Sequence, residues 1–130
     1  MSQYEVTASA GSLRSEDTNA VRFPHRWTGE GVTVVADFTG AHLLHLATAG
    51  CVLNDLYREA EQAGIELSGV RVTAAGDFDT ATWESTGITY RVDLDADATG
   101  ADLAALLDRV DAVAEIPRAI RAGATVRRST

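Results

Sequence analysis

The sequence predicts an α+β fold in which antiparallel sheets surround one long central helix. Three observations support this prediction: segments near the N-terminus alternate between apolar and polar residues, residues 40–63 can form one uninterrupted helix, and two further alternating segments follow. Strands therefore come before and after the helix, which is typical of α+β rather than doubly wound folds. With 130 residues, 45% of them hydrophobic, the chain can enclose one core, so a single domain over residues 1–130 is predicted.

The N-terminal third is predicted to contain three strands. Residues 4–10 alternate in polarity and form the first strand, and residues 11–19 are polar and turn-like. Residues 20–27 are predicted to be extended around Pro24, and residues 32–38 repeat the alternation. These segments predict a three-stranded meander.

The predicted central helix begins after Thr39 and spans residues 40–63. Residues 43–53 are apolar nearly all round, whereas residues 54–62 are charged on one side, so the first half is expected to be buried on every face. A domain of this size rarely encloses a helix completely. We therefore expect a second subunit to provide the missing cover, which predicts a homodimer.

After the helix, residues 70–74 and 88–94 alternate and predict two more strands. A second amphipathic helix is predicted to start at Thr99 and to end at Pro117. A short helical turn over residues 118–121 and a last strand over residues 124–127 are predicted to complete the fold. The apolar stripe of the second helix consists of Leu103, Leu106, Leu107, Val110 and Val113.

The charge of the chain limits the classes of partner. It carries 11 Lys and Arg residues against 19 Asp and Glu residues, and the formal net charge of −8 repels phosphate backbones and anionic membranes. Residues 40–53, the longest weakly polar stretch, are shorter than the roughly 20 residues that a membrane span needs. Neither nucleic acid nor a membrane is therefore predicted as a partner.

The cysteine content and the first residues indicate the compartment. One cysteine cannot form an internal disulfide, and residues 1–5 lack the basic start and apolar run of a signal peptide. A cytoplasmic location is therefore predicted. Because no phosphate-binding glycine loop, serine elbow or paired-cysteine zinc spacing occurs, neither a cofactor nor a metal ion is predicted.

Cys51 lies on the predicted central helix between apolar and polar neighbours. At about 100° per residue, it shares a face with Leu44 and Ala47 before it and with Asp55 and Arg58 after it. A thiol reacts with a peroxide as its thiolate, and Asp55 would raise the thiol pKa, so a cation must come from another segment or subunit. The alternative is that Cys51 is simply a small buried apolar side chain.

Residues 40–51 form a segment rich in small residues that ends in Ala-Gly-Cys, and this segment resembles the OsmC/Ohr family of hydroperoxide-reducing thiol proteins. Residues 61–72 are similar to the helix end, glycine-containing turn and following strand of that family. The resemblance implies an OsmC-like fold and an intertwined homodimer with two sites at its interface. Each site would combine the helix cysteine, an arginine, an acidic residue and a second, resolving cysteine.

The chain departs from this family pattern at the acidic residue and at the resolving cysteine. The acidic residue normally lies nine or ten residues before the helix cysteine, where this chain has His42 and Ala41. The resolving cysteine normally precedes a proline before the last short helix, and here Ile116 takes that position. The resemblance implies an arginine from the early glycine-containing loop, for which Arg14 is the first candidate and Arg22 the second.

Two histidines lie on the apolar half of the predicted helix. His42 could replace the missing carboxylate as a hydrogen-bonding partner or a titrating base. The structural alternative is that His42 lies near solvent in the first turn and that His45 bonds a carbonyl or its symmetry mate. A metal pair is not predicted, because His42 and His45 have no third ligand in reach.

One functional hypothesis follows from the resemblance. The chain would be a one-cysteine peroxidase for organic hydroperoxides, with Cys51 as the nucleophile and Arg14 or Arg22 stabilising the thiolate. Because no second thiol is present, an external thiol reductant would be needed to regenerate Cys51.

The second hypothesis takes the missing carboxylate and the missing resolving thiol as its starting point. The scaffold would then have been reused to bind or transform a bulky apolar small molecule without redox chemistry. His42 or His45 would supply acid–base catalysis, for example of a cyclisation or an isomerisation.

Overall fold

The computed structural model of the chain describes residues 2–129. Up to the second helix its elements follow the predicted order of strands, long helix, strands and helix, and the mixture confirms the α+β fold class. The strands are β1 (Tyr4–Gly11), β2 (Val21–Phe23), β3 (Val32–Val35), β4 (Leu67–Phe78) and β5 (Ser85–Ala96). The helices are α1 (Gly40–Ala63), α2 (Gly100–Val113) and α3 (Glu115–Ala122). In the described part of the chain, no helix is long and apolar enough to cross a membrane.

The five strands form one antiparallel sheet in the order β2-β3-β1-β4-β5, so the predicted meander of the first three strands is wrong. β3 pairs with β1, and β2 pairs only with β3 at the edge of the sheet. The exposed side chains of β2 suit an edge, and Pro24, which follows it, has no N–H to extend the ladder. Pairing depends on contacts that local alternation does not specify.

Helix α1 has the bounds that the sequence predicts, because both of its ends carry local signals. The Thr39 side chain accepts a hydrogen bond from the backbone N–H of His42 at 3.1 Å and caps the N-terminus. Gly64 adopts φ 70° at the C-terminus, a left-handed conformation that glycine reaches without strain. The helix packs on the sheet around a shared apolar core. The core includes Val6, Ala8, Ala10, Val52, Leu53, Leu56, Val70, Val72 and Ala74.

Within the single chain, only one side of the first half of α1 is buried. The prediction that every face of this half is buried is therefore not met by one subunit. His45, Thr48 and Ala49 face the core, whereas Ala47 is exposed and Leu43 is 37% exposed. The sheet, α2 and α3 contact other parts of the helix surface. The exposed side is the part that a second subunit was expected to cover.

The C-terminal region differs from the prediction at two points. Helix α2 ends at Val113, and Pro117 lies in the first turn of α3, where its missing N–H breaks no helical hydrogen bond. The predicted last strand over residues 124–127 is wrong, because residues 123–129 form no strand and are exposed. The alternating pattern there is strand-like, but a strand also requires a neighbouring edge with which to pair.

Candidate functional site

Cys51 lies in the middle of α1 and faces the start of α3. Its half-buried Sγ atom is 3.9 Å from Asp55 Oδ2 and 3.9 Å from Glu115 Oε2. The backbone of Ile116 and Glu115 also lies close to the sulfur. The thiol is therefore surrounded by two carboxyl groups and the first backbone groups of α3.

Arg58 joins the acidic groups around the thiol. Its guanidinium nitrogens lie 3.2 Å from Asp55 Oδ2, 3.5 Å from Glu59 Oε2 and 3.5 Å from Glu115 Oε1. Glu59 is also paired with Arg109 of α2. Because Asp55 and Glu59 are only 3% and 5% exposed, these ion pairs supply the positive charge that a buried carboxylate needs.

Electrostatics around the sulfur favour the protonated thiol. Burial raises the pKa of Cys51, and the negative charges of Asp55 and Glu115 raise it further, against the lowering effect of the Ile116 backbone. Burial and a hydrogen bond with Glu115 raise the pKa of Asp55 to about 6, while Arg58 opposes the rise. Hydrogen bonds from its own backbone and from Asp55 lower the pKa of Glu115. Asp55 thus holds a proton that it releases as the pH rises through about 6.

The geometry of this cluster follows from helical spacing and from the way in which α3 docks. Asp55 is one turn after Cys51 and Arg58 one turn further, which places both along one side of α1. Ala114 and Pro117 are buried and fix the start of α3 against α1. This docking brings Glu115, 64 residues after Cys51, within reach of the thiol.

Sequence reasoning identified Cys51, Asp55 and Arg58 as helical neighbours but did not include Glu115 or Glu59 in the site. In the structure Arg58 contacts the carboxylates of Asp55 and Glu115. A signal for Glu115 was available, because it stands directly before the position of the family's resolving cysteine.

Cys51, Asp55 and Glu115 are also the residues that could hold a metal ion. One ligand-type atom from each lies within 4.8 Å of the other two. Two of the three residues are carboxylates that already contact the guanidinium of Arg58. A metal ion bound here would therefore compete with the guanidinium of Arg58 for both carboxylates.

The two predicted arginines lie elsewhere in the chain. The Arg14 side chain donates to the carbonyl of Gly11 at 3.1 Å and is paired with Glu30. Arg22 donates to the carbonyl of Glu30 at 3.0 Å. Within one subunit the structure therefore does not bring either arginine to Cys51, and delivery by a partner subunit stays a prediction.

His42 lies in the first turn of α1, beside the residue that caps it. Its Nδ1 is 2.7 Å from Thr39 Oγ1, its Nε2 is 3.9 Å from Asp37 Oδ2, and its ring meets Tyr4 edge-on. These contacts give His42 a structural role at the helix start. The structure does not bring His42 together with Cys51, two and a half turns further along the helix.

His45 is fully buried between α1 and the sheet. Its Nδ1 donates to the carbonyl of Ala41 at 2.7 Å, as the structural alternative predicts. Its Nε2 has no hydrogen-bond partner among the described residues. A Cβ atom on Gly76 would lie 2.5 Å from this nitrogen, so the imidazole packs directly against the glycine backbone of β4.

The position of Ile116 gives a direct test of the site geometry. We predict that Ile116→Cys forms an intramolecular disulfide with Cys51 on mild oxidation, because the Ile116 backbone already contacts the sulfur. Mass spectrometry of the intact and digested protein would show the loss of two hydrogens and a peptide linking residues 51 and 116. Ile120→Cys, one turn further along α3, is the control and is expected to stay reduced. Equal cross-linking of both variants would contradict the geometry.

Comparison with known proteins gives a matching family model and a solved structure with a similar fold. A family model described as OsmC-like protein matches residues 33–128. The crystal structure of an OsmC-like hydroperoxide resistance protein from Jannaschia sp. CCS1 superposes with a TM-score of 0.53 at 11% sequence identity, over 97% of this chain and 93% of that chain. No curated protein sequence matches this chain. At 11% identity, the structural likeness shows the shared fold.

Proposed function

The chain belongs to the OsmC-like protein family, and from this premise we propose that it reduces organic hydroperoxides as a one-cysteine, thiol-dependent peroxidase. Cys51 is the nucleophile. The observation that carries the proposal is the 3.9 Å separation of its sulfur from Asp55, a carboxyl group with a pKa of about 6. A base with a pKa near the working pH is well matched to removing a proton from a thiol and returning it to the product.

The proposed first step uses Asp55 twice. The ionised carboxylate of Asp55 accepts the thiol proton, and the Cys51 thiolate attacks the terminal oxygen of the hydroperoxide. An S–O bond forms and the O–O bond breaks, so the sulfur is oxidised to a sulfenic acid while the peroxide is reduced. Asp55 then returns its proton to the departing alkoxide, which leaves as the alcohol.

Regeneration of Cys51 requires external thiols, since the chain contains one cysteine. One small thiol attacks the sulfenic acid, forms a mixed disulfide with Cys51 and releases water. A second small thiol then displaces Cys51 as the free thiol and leaves as the symmetrical disulfide. The cytoplasmic location predicted from the sequence would provide such thiols, and it stays a prediction.

Arg58 is the residue that keeps this arrangement together. It contacts both Asp55 and Glu115, so it holds the carboxyl pair against the sulfur and offsets the charge that appears when the pair loses its proton. In this proposal Arg58 is a positioning residue. A second cation from Arg14 or Arg22 of another subunit would lower the pKa of the thiol directly.

A homodimer is the second part of the proposal, and the apolar surface near the start of α1 supports it. Val21, Phe23 and Leu43 are 55%, 50% and 37% exposed in the single chain. Side chains of this kind are commonly buried between subunits. A second copy placed on this surface would cover the exposed side of α1.

We predict that Leu43→Glu converts the dimer to a monomer, because a carboxylate would be buried without a partner at the interface. Sedimentation equilibrium or light scattering on a sizing column would measure the mass. Trp83→Glu is the control, since Trp83 is 67% exposed and lies on the turn between β4 and β5. The prediction fails if the unmodified protein is already monomeric, or if both variants dissociate to the same extent.

A non-redox function is the second candidate, and the raised pKa of Cys51 favours it. The scaffold would bind a bulky apolar molecule and use His42 or His45 for acid–base chemistry. The unpaired Nε2 of His45 supports this candidate, because buried polar atoms seldom lack a partner. A ligand would reach this nitrogen only if the Gly76 backbone, against which the ring packs, moved aside.

A turnover assay distinguishes the two functions. Wild type and Cys51→Ser would be mixed with cumene hydroperoxide and dithiothreitol, and peroxide loss would be followed. The peroxidase proposal predicts turnover above that of dithiothreitol alone, and a loss of at least about 100-fold in Cys51→Ser. If wild type and Cys51→Ser both equal the dithiothreitol background, the peroxidase proposal is wrong and the non-redox function becomes the better account.

A further inference from the structure

A pocket of about 270 Å³ lies between α1, β5 and α3, on the side of α1 that leads toward Cys51. Thr48 contributes the wall on α1, three residues before the cysteine. Pro117 contributes part of the wall on α3 and directly follows Ile116, whose backbone contacts the thiol. The pocket therefore draws on the same two helices that meet at the thiol, but other side chains form it.

The inner wall of this pocket carries a polar group that the protein leaves unused. Thr48 is only 3% exposed, and its hydroxyl has no hydrogen-bond partner among residues 2–129. Buried polar atoms are nearly always paired, so an unpaired hydroxyl in the wall of a pocket indicates that a polar atom from outside the chain binds here.

The rest of the lining combines apolar side chains, two hydroxyl-bearing residues of β5 and one cation. Ile88, Pro117 and Ile120 are the apolar members, and Arg121 of α3 is the cation; Ser85 and Tyr90 carry the hydroxyl groups. The ion pair between Arg121 and Asp111 Oδ1 measures 3.6 Å, longer than a hydrogen bond. Asp111 Oδ1 instead accepts the hydroxyl hydrogen of Tyr90 at 2.5 Å.

Arg121 is therefore placed to receive an anion. A guanidinium has five N–H donors in a planar fork that matches the two oxygens of a carboxylate. The chain has a net charge of −8, which discourages general attraction of anions, so recognition would have to come from this local cation.

We propose that this pocket binds a small apolar molecule carrying a single carboxylate. The carboxylate pairs with Arg121, the apolar body packs between Ile88 and Ile120, and a polar atom at the inner end bonds the Thr48 hydroxyl. The volume is slightly below the roughly 300 Å³ at which common ligand pockets begin, which suits a ligand of arylalkanoate size. The proposal does not depend on redox chemistry at Cys51.

The binding experiment uses the full-length Cys51→Ser protein, so that its result is independent of peroxidase activity. Titration with 4-phenylbutyrate would be followed by calorimetry and by amide chemical shifts in NMR. We expect saturable binding, with the largest shifts at Thr48, Ile88 and Ile120. Arg121→Gln is expected to weaken binding about 10-fold, corresponding to the loss of one charged hydrogen-bonding contact.

Matched variants and a matched ligand make the test specific. Arg118→Gln removes an exposed arginine from the same helix and is expected to leave the affinity unchanged. The neutral 4-phenylbutanamide is expected to bind the protein about 10-fold more weakly and to be insensitive to Arg121→Gln. Ile120→Trp, which fills the pocket, is expected to abolish binding, and its fold can be checked by circular dichroism.

Three results would each overturn the proposal. The first is the absence of saturable binding of 4-phenylbutyrate to the Cys51→Ser protein. The second is equal affinity of the Arg121→Gln and Arg118→Gln proteins for this ligand, and the third is unchanged affinity in a folded Ile120→Trp protein. The binding of 4-phenylbutyrate is expected even if the protein does not reduce cumene hydroperoxide. Equally, a protein that does not bind 4-phenylbutyrate could still reduce cumene hydroperoxide, so each experiment tests one proposal only.

Discussion

Replacement of Asp55 by asparagine is expected to lower the second-order rate constant for oxidation of Cys51 by cumene hydroperoxide by roughly 10²- to 10³-fold. Asparagine keeps the shape of the side chain but cannot accept the thiol proton or return it to the alkoxide. Removal of the negative charge alone would lower the pKa of Cys51 and accelerate oxidation. The sign of the effect therefore separates a base from a group that acts only through its charge.

The pH dependence of the same reaction gives an independent readout. In the wild-type protein, the rate constant is expected to rise as Asp55 loses its proton, with a midpoint near its pKa of about 6. The Asp55→Asn protein is expected to lack this step. Asp108→Asn, an exposed position on α2, is the control and should keep the wild-type profile. An Asp55→Asn protein that reacts as fast as wild type, with the same midpoint, would show that Asp55 is not the base.

The second large effect is expected on stability. Arg58→Met should lower the free energy of unfolding by roughly 3 kcal/mol at pH 7, because the buried Asp55 and Glu59 lose a cation. The value lies at the lower end of the range for broken buried pairs, since Arg58 is itself partly exposed and Glu59 retains Arg109. Urea unfolding would measure the change, and Arg118→Met on the surface of α3 is the control.

The decrease in the free energy of unfolding caused by Arg58→Met is expected to become smaller as the pH falls from 7 to 4. Protonation of the buried carboxyl groups removes the unpaired negative charge that the substitution creates. A deficit that stays constant across this range would indicate that Arg58 stabilises the fold through packing of its aliphatic part instead.

Asp55 itself is expected to make the free energy of unfolding of the wild-type protein depend on pH. Its pKa in the folded chain, about 6, lies above the ordinary value of 3.8, so the folded state holds this proton more tightly. The resulting stabilisation is complete below pH 3.8 and is lost as the pH rises through about 6. The Asp55→Asn protein should therefore gain stability relative to wild type, by up to about 3 kcal/mol, between pH 4 and pH 8. A difference that is independent of pH in urea unfolding would contradict the raised pKa.

The sequence was sufficient to predict the central helix, because the signals at its ends are local. Thr39 caps its own helix, and Gly64 ends it in a conformation that glycine favours. The order of the strands was not predictable in this way. β1 pairs with β3 rather than β2, and that choice depends on which strand covers the core rather than on the alternation within each one.

In the site, too, contacts within one helix were predictable from the sequence, whereas contacts between distant segments were not. Helical spacing alone places Asp55 and Arg58 on the same side of α1 as Cys51. Glu115 reaches the thiol only through the docking of α3, and the sequence prediction starts that helix too late, because a proline is typical both after a helix and in its first turn. The roles of Arg14 and Arg22 depend on a partner subunit, which local patterns cannot describe.

Single-turnover oxidation of Cys51 by a hydroperoxide decides whether this residue is a peroxidatic nucleophile. Reduced protein would be mixed with one equivalent of cumene hydroperoxide, and sulfenic acid on Cys51 would be trapped and quantified by mass spectrometry over time. We predict a second-order rate constant at least about 100-fold above that of free cysteine at pH 7, as expected for a thiol with a positioned base. A rate no faster than that of free cysteine would contradict the assignment of Cys51 as a peroxidatic nucleophile.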